Sequence, residues 1–345
     1  MTTAALRYPL ASPEIGSAVA VGPDLVWACL PLPYRINHIN AWLVRDGAGW
    51  AVVDTGTHTE AAMATWDALL AGPLLDGPLT RVIATHMHPD HVGLAGWLQQ
   101  RHGAALWMSE REYLTCRVLV SEKGQVMPEA ERRFVREAGW GEDAIEAHAR
   151  RFGRYGDHIA ELPASFHRLS DGQVLRLGEQ DWEVVIGHGH SPEHACLYNA
   201  ALRLLISGDQ VLPRISSNVS VHAMEPDADP LDGWLRSIDR IEARVPDEVL
   251  VLPAHHAAFH GLHARLAQLR DDQLGALDRL RDWLAEPRRV VDVFPVLFRK
   301  PISPSDASQL GLATGEAVAC LNHLMHRGEV RKAFAADGVA WYRRC

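Results

Sequence analysis

The sequence predicts an α/β fold layered αββα, two sheets face to face with helices on both outer surfaces. Three observations point to it. Short apolar runs rich in β-branched residues come in two groups, each followed by helical segments. Residues able to ligate a metal fall just past the ends of those runs, where α/β sheets place their chemistry. The densest stretch, Thr85-His86-Met87-His88-Pro89-Asp90-His91, sets three imidazoles and a carboxylate within six residues.

Residues 25–30 and 40–44 read as strands, and Asp46-Gly47 is a hairpin signal leading into a strand at 49–53. Residues 57–72 have helical spacing, with Ala62, Trp66, Leu69 and Leu70 on one face. A buried strand at 81–85 delivers the histidine segment, a helix follows it and ends near Arg101, and 104–108 is a strand. From 109 to about 163 the texture is helical, charged and broken by Gly124, Pro128, Gly139, Gly153 and Gly156. This insertion either covers the site as a lid or packs on the sheet as a helical layer. Strands resume at 173–177, 181–186, 195–198 and 202–206, followed by a helix at 231–244, a strand at 248–252 and a long helix at 262–284.

Past Pro287 the pattern changes again. Residues 289–298 and 303–311 read as short helices, and 314–327 as a stronger one closed by Gly328. A hairpin follows over 330–334 and 339–342, turning at Asp337-Gly338. Three helices and a hairpin describe a winged helix. The expected division is a catalytic domain at 1–283, containing the insertion at about 109–163, and a winged-helix-like domain at 284–345.

Composition bounds the function. The chain has 345 residues, 47% of them hydrophobic, enough for one large core and a small one. A net charge of −9 argues against a dedicated nucleic-acid coat. The five cysteines are scattered, odd in number and without CxxC spacing, which suits a reducing compartment. No apolar stretch approaches a membrane span, and Pro9 and Pro13 interrupt any leader-like run. A cytoplasmic protein with no membrane partner is expected.

The ligand-type residues recur at strand ends. Gly187-His188-Gly189-His190-Ser191-Pro192-Glu193-His194 follows the 181–186 strand, Ser207-Gly208-Asp209 follows 202–206, and Pro253-Ala254-His255-His256 follows 248–252. Asp54 ends the 49–53 strand. Eight of the 19 histidines lie in these segments and the Thr85 loop, so repetition rather than any single match carries the signal. His86 and His88 are two apart, so an extended backbone points both rings the same way.

Asp54-Thr55-Gly56, His86-x-His88-x-Asp90-His91, Gly189-His190-Ser191-Pro192-x-His194, Gly208-Asp209 and Pro253-x-His255 together resemble the metallo-β-lactamase superfamily, in order and spacing, over about residues 15–265. Within it the chain is most similar to the glyoxalase II-like hydrolases, and its tail resembles the winged-helix domain attached to some members. The resemblance implies an αββα metallo-β-lactamase sandwich with two divalent ions, Zn2+ first, with Fe or Mn fitting the same ligands. It implies that His86, His88 and His190 hold one ion, that Asp90, His91 and His255 hold the other, and that Asp209 bridges them. His188 is the alternative to His190 if the loop bulges. Asp54 would orient a ligand histidine or its loop. Asp90, Asp209 and His194 are the expected catalytic residues, His194 as a hydrogen-bond donor behind the ligands or a polarising group near the substrate, the alternative being simply a histidine at a strand start.

A hydroxide shared by two dications attacks acyl or phosphoryl centres without a serine or cysteine nucleophile. Hydrolysis of a small-molecule thioester, of hydroxyacyl-glutathione or acyl-CoA type, is the leading expectation by analogy. Lactones, β-lactams and RNA are the competing substrates, with Arg154, Arg214 and Arg299 as candidate contacts for an anion. A mononuclear-iron persulfide dioxygenase shares the histidine loop, though the full second ligand set weighs against it. A DNA-binding sensor is the reading from another class. It would use Asn322, His323, His326 and Arg327, with Arg331 and Lys332 on the wing, a thin set for reading a groove. Nucleic acid is therefore the lesser expectation, and packing of the tail on the main domain or in a homodimer the greater.

Overall fold

The computed structural model describes residues 6–345. The first half runs β1 (Ser17–Gly22), β2 (Leu25–Pro31), β3 (His38–Asp46), β4 (Gly49–Val53), α1 (Glu60–Ala71), β5 (Leu79–Ile83), α2 (Pro89–Val92), α3 (Ala95–His102) and β6 (Ala105–Ser109). Then come α4 (Glu110–Ser121), α5 (Glu129–Glu137), α6 (Glu142–Ala149) and β7 (His167–Leu169). The second half runs β8 (Val174–Leu177), β9 (Gln180–Gly187), β10 (His194–Asn199), β11 (Leu204–Gly208), α7 (Pro230–Arg244), β12 (Leu250–Pro253) and α8 (Leu262–Trp283). The tail holds α9 (Phe294–Leu297), α10 (Ala307–His326), β13 (Val330–Phe334) and β14 (Ala340–Arg344).

Strands β1 to β7 form one sheet in chain order, antiparallel as far as β4 and parallel from β4 onward. The other sheet is ordered β12-β11-β10-β9-β8, with β11 and β12 parallel. Trp27, Trp42, Val53 and Ile83 of the first sheet meet Trp182, Val184, Ile206 and Leu252 of the second to form the central core. Each such side chain contributes about 1.5–3 kcal/mol by leaving water. The outer face of the first sheet packs on α1, α3 and α4 through residues such as Trp66, Leu98 and Cys116. The second packs on α7 and α8. The αββα layering expected from the sequence is present. Strands β1 and β7 were not legible in it. The first is half-exposed at the sheet edge and the second has three residues, so neither shows a clear apolar alternation.

The insertion is helical throughout, as its composition indicates, and it packs as a layer. Its α4 joins the helices of the first sheet, while Val135 of α5, Ile145 of α6 and Trp140 between them join those of the second. A 3-10 turn, Arg154–His158, brings the Tyr155 hydroxyl onto the Met87 carbonyl, beside the histidine loop. Arg154 itself pairs with Asp157 at 3.7 Å.

The tail differs from its reading in two ways. The helices expected at 303–311 and 314–327 are one, α10, running through Gly311 and Gly315. Each mid-helix glycine costs about 1 kcal/mol against alanine, and burial of the helix outweighs that. Asn322 and His323, read as groove-facing, point inward. The Asn322 amide donates to the carbonyls of Pro226 and Ala228 at 2.9 Å, and His323 Nδ1 lies 3.2 Å from the Asp229 carboxylate. Among the described residues, no helix is long and apolar enough to cross a membrane.

Leu310, Val318, Leu321, Leu324 and Tyr342 of the tail lie in the same buried cluster as Trp140, Ile238, Leu266 and Leu269. Removing five such side chains forfeits roughly 10 kcal/mol, comparable with the about 5–15 kcal/mol that holds a typical domain together. Protein truncated at Pro287 is therefore expected to aggregate or partly unfold, as read by light scattering and circular dichroism. A truncated chain that stays monodisperse and folded would show the tail to be an independent appendage.

Candidate metal centre

The first ligand loop begins where β5 ends. Asp54, at the end of β4, takes the left-handed conformation at φ 63° and turns its carboxylate across to that loop. It accepts hydrogen bonds from the Thr85 N–H at 2.8 Å and from the Thr85 hydroxyl at 2.9 Å. It also accepts the Nδ1–H of His91 at 2.8 Å, as expected of a residue that orients a ligand. Pro89 opens the single turn of α2, which carries Asp90 and His91 and brings the His91 ring to 3.9 Å from that of His86, centroid to centroid.

The side chains converge. His86 Nε2 lies 2.8 Å from His88 Nδ1 and 3.2 Å from His190 Nε2, and His88 Nδ1 lies 3.0 Å from His190 Nε2. Beside them, His255 Nε2 is 3.3 Å and His91 Nε2 3.6 Å from Asp90 Oδ2. Asp209 reaches both groups, with Oδ2 3.4 Å from His190 Nε2 and 3.5 Å from His91 Nε2, and Oδ1 3.5 Å from His255 Nε2. Three sets could hold a divalent cation: His86, His88 and His190; His86, His91 and Asp209; and Asp90, His91 and His255. His188 turns away, its Nδ1 2.8 Å from the Pro192 carbonyl, so the fold brings His190 to the cluster.

The donor chemistry fits cations. The carbonyls of Asn218 and His38 can only accept, so His190 and His255 carry their protons on Nδ1, at 2.7 and 2.9 Å from those oxygens. The Asp54 carboxylate likewise takes the Nδ1–H of His91. The Nε2 lone pairs of all three rings are then aimed at carboxylate oxygens, a repulsive arrangement unless positive charge lies between. Buried His91 Nε2 and Asp209 Oδ1 have no hydrogen-bond partner. Burial and the surrounding imidazoles push His86 well below its ordinary pKa and His88 down to about 3, leaving both rings neutral and free to coordinate. Burial works against charge on His91 too, yet Asp54, Asp90 and Asp209 hold its pKa well above the ordinary value. The pocket is thus negative enough to retain a proton there, and a metal ion answers the same field.

His194 is fully buried behind the cluster, and its Nε2 accepts the Asp209 N–H at 3.0 Å. It is placed to orient Asp209. Gly208 makes room for it: a Cβ there would lie 2.5 Å from His194 Nε2. Two further positioning residues escaped the sequence reading. Asn40 is buried and donates to the carbonyls of Pro253 and His256, clasping the His255 loop from both sides. Glu112 is buried in α4. Its carboxylate accepts the Met87 N–H at 2.9 Å, the Ser191 hydroxyl at 2.6 Å and the Glu193 N–H at 2.6 Å. One side chain thereby ties together the loops that carry His86, His88 and His190. A lone glutamate in a charged helix gives no sequence signal of this. Of the basic candidates, Arg214 is exposed and stacks over Tyr8 at 5.6 Å, near enough to His256 to help lower its pKa.

Residues 35–255 match the Metallo-beta-lactamase superfamily, and residues 277–345 match the metallo-beta-lactamase-like C-terminal domain. With the sandwich and the histidine–aspartate cluster at its strand ends, the chain belongs to the metallo-beta-lactamase superfamily. It is 37% identical to a beta-lactamase domain protein from Burkholderia ambifaria, whose crystal structure superposes with a TM-score of 0.89 over 99% of this chain and 98% of that one. It is 23% identical over 290 residues to the "Probable metallo-hydrolase YqjP" of Bacillus subtilis, spanning 81% of this chain and 88% of that protein. To the acyl-coenzyme A thioesterase MBLAC2 of Gallus gallus it is 29% identical over 179 residues, 51% of this chain and 58% of that one.

Proposed function

We propose that this protein is a binuclear metallo-hydrolase acting on an acyl thioester, of the acyl-CoA or hydroxyacyl-glutathione type. The observation that carries the binuclear reading is Asp209, whose two oxygens face both ligand groups. His86, His88 and His190 would hold one ion and Asp90, His91 and His255 the other, with zinc, iron and manganese all suited to these donors. When bound, such a pair supplies a water that ionises near neutral pH and polarises the oxygen of the electrophile. The chain's own part is preorganisation. The Nδ1–H anchors on Asp54, Asn218 and His38 fix the rings in advance, so the site need not rearrange as charge develops. Asp90 and Asp209 offset the repulsion between two dications.

The thioester assignment rests on the similarity to an acyl-coenzyme A thioesterase and on the glyoxalase II-like pattern of the motifs. In this reading residues 1–283 form the catalytic domain, the winged-helix-like tail serves packing, and the partner is a small molecule in the cytoplasm. The test is a metal-quantified sample assayed against thioester, lactone, β-lactam and RNA substrates. Two ions per chain at saturation and turnover of a thioester are expected. A single ion at saturation would favour the mononuclear dioxygenase, and turnover of another substrate in place of thioesters would replace the assignment.

A further inference from the structure

The loop leaving Asp209 returns along the cluster before it enters α7, and the tail helix holds it there. Ser217 donates its hydroxyl to the Asp209 carbonyl. The next residue, Asn218, accepts the Nδ1–H of His190 on its carbonyl at 2.7 Å. The side chain of the same Asn218 points the other way. Its amide donates to Glu316 Oε2 of α10 at 2.8 Å, and its Oδ1 accepts the hydroxyl of Ser220. One residue further along the loop, the Val221 N–H donates to the Gly315 carbonyl at 3.0 Å. The approach is close enough that a Cβ on Gly315 would lie 2.7 Å from Ser220 Oγ and 2.9 Å from the Val221 carbonyl oxygen. Glycine is otherwise a poor choice inside a helix, so its presence at this contact has a steric reason. The preceding residue, Thr314, accepts the indole N–H of Trp140 at 2.9 Å, which braces α10 against the insertion.

We propose that Glu316 and Gly315 of the tail helix are positioning residues for the metal centre, acting through Asn218 to fix the orientation of His190. The tail is then a structural part of the site as well as a packing element. A hydrogen bond from a ligand imidazole to a fixed acceptor sets ring orientation and basicity, and loss of such a partner lowers metal affinity about 10–100-fold. The Asn218 carbonyl is on a loop without regular secondary structure, and the Glu316 carboxylate is the side chain that pins it from outside.

This inference rests on the metal-centre reading, and the experiment separates the two. Zinc is titrated into metal-free, full-length protein against a chromophoric chelator, with urea unfolding of the metal-free form as the fold control. Glu316→Ala is expected to weaken zinc binding about 10–100-fold, and Glu316→Gln, which keeps an acceptor for the Asn218 amide, to restore it to within about threefold of wild type. Asn218→Ala keeps the carbonyl but releases it, and should match Glu316→Ala; it decides the matter if Glu316→Ala does not fold. Cobalt substituted for zinc should show a shifted visible spectrum in the same variants. Folded Glu316→Ala and Asn218→Ala proteins with wild-type zinc affinity would overturn the proposal, as would a Gln variant as impaired as Ala. Wild-type protein that binds no zinc would instead overturn the metal-centre reading itself.

Discussion

Replacing Asp209 with alanine is expected to lower turnover by roughly a thousandfold, a loss on the scale seen when a preorganised charge is removed from an active site, while leaving the fold intact. The two effects separate because Asp209 serves the site and not the core. Its carboxylate is placed against histidines of both candidate ligand groups. Without it, two dications would face each other with only Asp90 to offset their repulsion. In the metal-free protein its Oδ1 is buried without a hydrogen-bond partner, and burial works against its charge, yet His255 and His91 hold its pKa well below the ordinary carboxylate value, so the charge stabilises the folded state. Metal-free Asp209→Ala should therefore still unfold cooperatively, at neutral pH at a urea concentration equal to or somewhat below that of wild type. Elemental analysis, steady-state turnover and urea unfolding on one preparation would check all three. Full metal loading with near-normal turnover would sink the bridging role.

Glu112→Ala should damage both metal binding and stability. Its carboxylate satisfies the Met87 N–H, the Glu193 N–H and the Ser191 hydroxyl, all in a buried setting. Burial raises its pKa, and those donors pull the other way. Each buried donor left without an acceptor costs about 1–3 kcal/mol, so a loss of roughly 3–5 kcal/mol is expected, several degrees or more in melting temperature. Glu112→Gln should lie between. Its remaining oxygen can keep the Ser191 and Glu193 bonds, while an amide N–H₂ then faces the Met87 N–H. Calorimetry of the metal-free forms, followed by zinc titration, gives the two readouts. Zinc affinity unchanged in a folded Glu112→Ala protein would show that the two loops keep their positions without the clamp.

The cluster of candidate ligands was legible because it consists of residues whose type and spacing suit coordination chemistry. His86-x-His88 on extended backbone, a turn at Pro89, and Asp90-His91 beyond it can be read directly, since local geometry decides where those side chains point. The strands of the core were legible for a similar reason: β2, β3 and β4 are buried on both faces and so are apolar almost throughout. The edge strands β1, half-exposed, and β7, only three residues long, carried too little of that signal.

The sequence by itself determined the layered fold, the places where strands end, and the residues able to ligate metal at those places. Only the tertiary structure decided which of His188 and His190 enters the cluster, and that Asp209 spans it. It also turned Asn322 and His323 inward and merged two expected helices into α10. The same division explains Glu112, Asn40, Asn218 and Glu316. These contacts reach 25 to 213 positions along the chain, as in Glu112 to Met87, Asn218 to His190, Asn218 to Glu316 and Asn40 to Pro253. A ligand is chosen by its own chemistry and its near neighbours. A positioning residue is chosen by whichever buried polar group the fold happens to bring against it, and a polar group buried at that contact must be satisfied there.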